Sequence, residues 1–266
     1  MSVADFRARY RAAHLPQRYS GWGHFALTTS GALVAIVFAV ARVEAPTLLE
    51  LAVVPFSFLV ANFGEYWAHR GPMHHRVRGL GVLYERHSRR HHRFYTHEAM
   101  SAESSRDFHI VLFPPVMLLF FLGALATPLG ALLYFALSPN AGWLFAATAI
   151  GYFLTYEWLH LAYHLPAGAL VGRLPGMRAL RRLHTMHHDP RALRRCNFNI
   201  TFPIADRLFG THGGALREDP LADSLDAEEA RKADPEDDIG EEDRHERKHP
   251  EVEAEGAEHP DGCSAA

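Results

Sequence analysis

The sequence predicts an all-α integral membrane protein with about four transmembrane helices and a cytoplasmic, histidine-rich helical cap. Three observations support this fold class: four long apolar runs, two basic histidine-rich segments after the second and fourth runs, and an uneven division of charge. Residues 1–216 contain 21 basic and 11 acidic residues, a net charge of +10. Residues 217–266 contain 6 basic and 19 acidic residues, a net charge of −13. We therefore divide the chain into a basic N-terminal segment (1–24), a membrane-embedded domain (25–216) and an acidic tail (217–266).

The apolar runs have the length that a bilayer requires. The first covers residues 25–41 and the second residues 47–69. Both are close to the ~20 residues that cross the hydrocarbon core as a helix, and the short turn between them predicts a helical hairpin. The third run, 108–137, contains three prolines, so we expect one crossing helix and a short broken or re-entrant piece. The fourth run covers residues 143–164.

The orientation follows from the charges beside these runs. With four crossings, both histidine-rich segments and both termini lie on one side of the membrane, and the arginine excess predicts that this side is cytoplasmic. A basic body with apolar runs favours anionic lipid head groups as a partner rather than nucleic acid. The tail is acidic and poor in aromatic residues, which is typical of a disordered segment. A soluble bundle of very apolar helices is the alternative fold.

Histidine is the unusual component of the composition. The chain contains 19 histidines, and 13 of them lie between residues 69 and 188. Ten of these form four groups, which are His69 with His74, His87 with His91 and His92, His160 with His164, and His184 with His187 and His188. Residues three and four apart share one face of a helix. Because the groups follow the second and fourth runs, we expect them to converge just below the cytoplasmic membrane surface.

Converging imidazoles indicate a metal site. Neutral imidazole is the commonest metal ligand and suits iron, zinc, copper or nickel. Ten rings exceed the capacity of one ion, whereas two ions with four or five nitrogens each fit the number. Coordination also keeps the rings neutral, which removes the repulsion between adjacent imidazolium ions. A metal transporter or storage protein is the competing class, but a transporter requires ligands at mid-span, and these histidines lie at span ends and in loops.

The motifs resemble a known family. HRGPMH (69–74), HSRRHH (87–92), HLAYH (160–164) and HTMHH (184–188) are similar to the histidine boxes of the fatty acid hydroxylase superfamily, which includes sterol desaturases. The stretch NFNITFPIADRLFGT (197–211) resembles the segment that follows the last box there. The resemblance covers roughly residues 50–212. It implies metal ligands at His69, His74, His87, His91, His92, His160, His164, His184, His187 and His188.

The resemblance also implies a function. It points to a membrane di-iron monooxygenase that hydroxylates a lipid C–H bond, with a fatty acyl chain as the first candidate and dioxygen as co-substrate. A sterol or carotenoid oxidase or desaturase of the same superfamily is the alternative. The spacing between His87 and His91 is one residue longer than is usual in fatty acid 2-hydroxylases, which affects the substrate assignment rather than the chemistry. The cofactor would be two iron ions, which zinc can replace in a purified sample.

Such an enzyme needs electrons from outside. The sequence contains no glycine-rich nucleotide motif after a strand and no haem module with an HPGG signature. We therefore expect an external donor, a ferredoxin or cytochrome b5 with its reductase. The arginines expected to dock an acidic carrier, or anionic lipid head groups, are Arg89, Arg90, Arg181, Arg182, Arg194 and Arg195.

Further residues are candidates for supporting roles. A ligating histidine usually donates its second N–H to a carboxylate or carbonyl, and the nearby polar candidates are Glu65, Glu157, Asp189, Asn197 and Asn199. Glu157 stands first among them, because ionisable groups inside an apolar run are costly and usually functional. His75 and His97 are additional candidate ligands.

Overall fold

A computed structural model describes residues 1–213, apart from the side chains of residues 118, 121, 122 and 125. The acidic tail predicted at residues 217–266 lies outside the described residues. Within residues 1–213 the chain is helical, without a strand other than one isolated bridge between Thr96 and Ala99. The all-α class is therefore confirmed.

Twelve α-helices follow one another in residues 1–213. They are α1 Val3–His14, α2 Gly21–Val40, α3 Leu48–Leu51, α4 Val53–Arg70, α5 Gly81–Tyr84, α6 His92–Phe94, α7 Phe108–Val111, α8 Pro115–Phe120, α9 Thr127–Ala136, α10 Pro139–His164, α11 Met177–His187 and α12 Ile204–Leu208. Two π-helical stretches, Glu85–His91 and Phe121–Ala126, and two 3₁₀ turns, Ser105–Asp107 and Leu170–Arg173, connect some of them.

Two segments of residues 1–213 are long and apolar enough to cross a bilayer. They are α2, with 20 residues, and α3 with α4, which together cover Leu48–Arg70. α2 begins where the Ser20 hydroxyl accepts a hydrogen bond from the Gly23 N–H. Its outer face exposes large apolar side chains; Val34 is 70% exposed and Val37 is 66% exposed. Such a face is costly in water and favourable in lipid, as the predicted hairpin requires.

The long helix α10 packs against α2, α4 and α9. Ala32 of α2 packs with Ile150, Phe153 and Leu154 of α10 in one buried cluster. Gly142 allows α9 to approach closely, because a Cβ at this position would lie 2.7 Å from the carbonyl oxygen of Gly130. This packing directs the last turn of α10, which carries two predicted ligands, towards the histidine-rich segments.

The third apolar run is interrupted, as its prolines predict. α7 ends at Val111, Leu112 is extended, and Pro114 precedes α8, which begins at Pro115. Proline removes a backbone donor and disfavours helix in the residue before it, which explains the break. Neither this run nor α10 is among the two segments of residues 1–213 that meet the length and hydropathy requirement. Four crossings therefore remain a prediction.

The basic N-terminal segment packs against the residues that follow the second histidine box. Phe6 and Tyr10 of α1 are buried in one cluster with Phe94, Tyr95 and Phe108. Residues 1–213 all belong to one compact unit. The side chains of α1 therefore form part of the same buried core as Phe94 and Tyr95.

Candidate metal centre

Nine of the ten predicted ligands meet in two groups. The first histidine group consists of His69, His74, His87, His92 and His187. The second histidine group consists of His91, His164, His184 and His188. In each group the candidate ligand atoms lie within 4.8 Å of one another, and every ring is buried.

The tenth predicted ligand, His160, lies beside the second histidine group. Its Nε2 is 3.2 Å from the Nε2 of His91, and its ring centre is 5.0 Å from that of His184. Its Nδ1 is buried without a hydrogen-bond partner in the described part of the chain. His160 is therefore within reach of an ion held by the second group.

The two additional candidates lie outside both groups. His75 is exposed, whereas the adjacent His74 is fully buried in the first histidine group. The structure therefore favours His74 over its neighbour as a ligand. His97 is about one-third exposed and lies near Glu98, with 3.8 Å between Nε2 and Oε1.

A π-helix decides how the second box divides its histidines. In the stretch Glu85–His91, the backbone N–H of His92 donates to the carbonyl of His87, which is the i→i+5 bond of a π-helix. This wide turn aligns His87 with His92, whose Nε2 atoms are 3.0 Å apart, and directs His91 to the second group. The structure thus differs from the i, i+4 pairing of His87 with His91 that the spacing predicts.

The fourth box divides in a similar way. His184 and His188 are four residues apart at the end of α11, and their Nε2 atoms are 3.1 Å apart in the second group. His187 belongs to the first group because consecutive residues of a helix point about 100° apart. Each adjacent HH pair therefore contributes one ring to each group, and the ring centres of His92 and His188 are only 4.2 Å apart.

Hydrogen bonds on the outer nitrogens leave the inner nitrogens as bare acceptors. The Ser88 hydroxyl donates to the carbonyl of Met73 and therefore accepts from Nδ1 of His74, at 3.0 Å. Nδ1 of His187 donates to the carbonyl of Cys196 at 2.9 Å. The Nε2 atoms of His74 and His187 consequently face each other at 3.0 Å with no proton between them. Two facing lone pairs repel unless a cation lies between them.

Burial keeps these rings in the form that binds a metal. Desolvation lowers the pKa of His187 to about 4 and, together with nearby rings, the pKa of His74 well below its ordinary 6.5. Neutral imidazole is the ligand form. Nitrogens bind an ion such as zinc at about 2.0–2.1 Å, so two at right angles lie ~3 Å apart. The residues present therefore fit a metal ion in their donor type, protonation and spacing.

Backbone carbonyls orient several of the candidate ligands. These bonds run from His69 to Phe198, from His164 to Met100, from His187 to Cys196 and from His188 to Tyr95. A ring held by its outer N–H presents the other nitrogen in a fixed direction. All four accepting carbonyls belong to residues outside the histidine motifs.

Glu65 and Asn199 support a ligand ring indirectly, through the backbone segment that orients it. The Glu65 carboxylate accepts hydrogen bonds from the backbone N–H groups of Ile200 and Thr201, and the Asn199 side chain donates to the Asn62 carbonyl. Both residues thereby hold the segment that carries the Phe198 carbonyl.

Sequence reasoning missed Asp206, which supports the same segment. Its buried carboxylate accepts from the backbone N–H groups of Phe198 and Asn199, at 2.9 and 2.7 Å. An acid inside the apolar stretch after the last box was the available signal, because a buried carboxylate requires partners.

The other three predicted supporting residues have different partners in residues 1–213. Glu157 accepts from the backbone N–H of Phe113 at 3.2 Å, and Asp189 pairs with Arg191 at 2.7 Å. The Asn197 side chain accepts from the backbone N–H of Gly213 at 2.8 Å. These bonds tie loops around the site rather than orienting a ligand ring.

A small cavity of about 20 Å³ reaches the ligands. The residues that line it include His87, His91 and His160 together with Phe113 and Tyr156. Because His87 and His91 belong to different groups, the cavity lies where the groups adjoin. Its aromatic wall suits an aliphatic C–H group better than a polar one.

Replacing Ser88 with alanine should weaken metal binding by about 10-fold, at the lower end of the effect of removing a partner that orients a ligand. The change removes the acceptor for His74 Nδ1 and leaves the ring itself in place. Metal titration of the purified protein measures the loss. An affinity equal to that of the unchanged protein would show that Ser88 does not orient His74.

Comparison with known proteins agrees with this geometry. The family model described as fatty acid hydroxylase matches residues 54–211, a range that includes all ten predicted ligands. No curated protein and no solved structure matches the chain.

Proposed function

We propose that this protein, which belongs to the fatty acid hydroxylase family, is a membrane di-iron monooxygenase that hydroxylates a lipid C–H bond. The family makes it an oxidoreductase-type enzyme, and its two apolar helices are those of a membrane protein. The observation that carries the proposal is the pair of buried histidine groups, in the first of which the unprotonated Nε2 atoms of His74 and His187 face each other 3.0 Å apart. The first histidine group would hold one iron ion, and the second, with His160, the other.

Two bound iron ions would supply the activation of dioxygen that attack on an unactivated C–H bond requires. The protein's own residues perform the remaining tasks. The carbonyls of Phe198, Cys196 and Met100 orient ligand rings. Phe113 and Tyr156 exclude water from the cavity and present an apolar wall to the substrate.

A fatty acyl chain is the substrate that we propose first. The cavity has a volume of only about 20 Å³ and is lined largely by apolar side chains, so it would admit a slender apolar group such as part of an acyl chain. A substrate dissolved in the bilayer would approach from the lipid, since α2 and α4 expose apolar side chains. The proposed topology has four crossings with the metal centre on the cytoplasmic side, as the arginine distribution favours.

The electrons would come from a separate protein, a ferredoxin or cytochrome b5 with its reductase. One oxygen atom of dioxygen enters the lipid and the other leaves as water, so each turnover consumes electrons and protons. Arg181 and Arg182 lie on α11 three and two residues before His184, and Arg182 is exposed. An acidic carrier docked on this face would lie close to the second histidine group.

Lipid analysis tests the proposal. The protein is expressed in a host with abundant lipids, and the lipid extract is compared by mass spectrometry with that of His187→Ala. We expect a species one oxygen atom heavier than a host lipid, present only with dioxygen and absent in the variant. The control is His75→Ala, which removes an exposed ring next to His74. This variant should still form the product. The lipid class that carries the new hydroxyl group separates acyl from sterol substrates, and no oxygen-dependent change in any lipid would contradict the proposal.

A further inference from the structure

Helix α1 lies outside the segment that the family model matches, yet it carries a buried cation. Arg7 is only 5% exposed, whereas its neighbour Arg9 is exposed. The guanidinium group lies over the rings of Phe94 and Tyr95, at 5.1 and 5.4 Å from their centres. Burial of an arginine is costly without strong partners.

The partners of Arg7 are two backbone carbonyls and one carboxylate. Nε donates to the carbonyl of Phe94 at 2.8 Å, Nη2 to that of Ala99 at 2.5 Å, and Nη1 to Glu103 at 2.8 Å. Phe94 and Ala99 delimit a turn that the bridge between Thr96 and Ala99 closes. Arg7 therefore fastens both ends of this turn.

The same turn orients two candidate ligands of the second histidine group. Nδ1 of His188 donates to the carbonyl of Tyr95 and Nδ1 of His164 to that of Met100. Tyr95 and Met100 follow directly after Phe94 and Ala99, whose carbonyls bind Arg7. In both cases the guanidinium group restrains the peptide unit that precedes the accepting carbonyl.

We infer that Arg7 is a positioning residue for the second metal ion, because it holds the turn 94–100 whose carbonyls aim His164 and His188. The inference rests on the proposed two-metal centre. In the first histidine group, the carbonyls of Phe198 and Cys196 and the hydroxyl of Ser88 orient ligand rings. Arg7 contacts none of these three groups. Loss of Arg7 should therefore affect one ion and spare the other.

Arg11 provides a matched control. It lies one turn further along α1 and binds Glu103 and Asp107, at 2.7 and 2.8 Å. Its bonds fasten α1 to the cap through acidic side chains and involve no carbonyl of the turn 94–100. Arg11 also lies over the Phe94 ring, 5.4 Å from its centre, so both arginines dock the helix. Of the two, only Arg7 hydrogen-bonds backbone carbonyls of the turn.

The experiment titrates the purified, metal-free protein in detergent with Co²⁺ and follows both the absorbance of bound cobalt and the metal stoichiometry. We expect the unchanged protein and Arg11→Gln to bind two Co²⁺ ions per chain. Arg7→Gln should bind one ion normally and the other about 10–100-fold more weakly, which is the usual effect of losing a partner that orients ligands. Arg7→Lys should not restore the second ion, because an ammonium group lacks the planar fork that reaches two carbonyls.

Thermal unfolding of the same samples separates positioning from general stability. Arg7→Gln and Arg11→Gln should both lower the melting temperature, but only the first should change the ratio of the two cobalt affinities. Normal binding of both ions by Arg7→Gln, or equal weakening of both ions, would overturn the inference. Equal loss of the second ion in Arg11→Gln would overturn it as well, since helix docking alone would then explain the effect. Fewer than two ions in the unchanged protein would refute the two-metal centre itself, before any variant is compared.

Discussion

Replacing Glu65 with alanine is expected to lower the free energy of unfolding by about 3 kcal/mol or more, because each buried donor left without a partner costs about 1–3 kcal/mol. The Glu65 carboxylate accepts from the backbone N–H groups of Ile200 and Thr201 and from the hydroxyl of Tyr152. These donors belong to the segment after the last box and to α10, so one side chain joins three parts of the molecule. Its loss should also weaken metal binding, since the Phe198 carbonyl that orients His69 lies in the segment it holds.

Two comparison variants make the Glu65 prediction specific. Glu65→Gln keeps one acceptor oxygen for the backbone donors and should cost less, about 1–2 kcal/mol. Glu44 hydrogen-bonds Asn140 through its backbone, while its carboxylate is exposed. Glu44→Ala removes only this carboxylate and should leave the free energy of unfolding unchanged. Denaturant or thermal unfolding in detergent micelles measures all three. A loss below about 1 kcal/mol in Glu65→Ala would mean that water replaces the carboxylate at these donors.

Much of the metal centre could be predicted because helical spacing relates sequence to direction. His184 and His188 are four residues apart, and the helix α11 brings both into the second histidine group, as the spacing indicates. The two apolar runs at the start of the chain form α2 and, in the second case, α3 with α4, within a few residues of their predicted ends. In these cases the pattern depends on the local backbone alone.

Other features depend on contacts between distant parts of the chain. The π-helix Glu85–His91 has no signature in residue type, so the division of the second box between two groups was not predictable. The partners of His69 and His188 are backbone carbonyls, which every residue possesses, and composition therefore does not mark them. In the sequence, Arg7 is likewise one of several basic residues of the N-terminal segment. Its role became visible only when the fold placed it under the turn 94–100.

Acidification of the metal-free protein is expected to unfold it within about one to one and a half pH units below 6.5, the ordinary pKa of histidine. Burial lowers the pKa of every histidine in the two groups that lies outside the apolar helices. These residues are His74, His87, His91, His92, His184, His187 and His188. In the unfolded chain each ring takes up a proton near its ordinary pKa, whereas the folded protein excludes it. Stability is therefore complete above this pKa and decreases as the pH falls.

The expected decrease is steep because the rings act together. Each ring that is protonated only in the unfolded chain contributes about 1.4 kcal/mol per pH unit, so seven contribute roughly 10 kcal/mol per unit. The loss over one pH unit is therefore comparable with the whole free energy of unfolding of a typical protein, about 5–15 kcal/mol. The loss for His187 alone would continue down to its folded pKa of about 4.

Bound metal should move this acid transition to lower pH. A metal binds the neutral rings of the folded protein, so protons must displace it before the chain unfolds. Circular dichroism and tryptophan fluorescence, followed against pH with and without Co²⁺, measure both midpoints. The variant His75→Ala should leave the metal-free midpoint unchanged, because this ring is exposed and lies outside both groups. A metal-free protein that stays folded to pH ~4 would show that the buried rings take up protons without loss of the fold. Equal midpoints with and without cobalt would show instead that these nitrogens do not hold the ion.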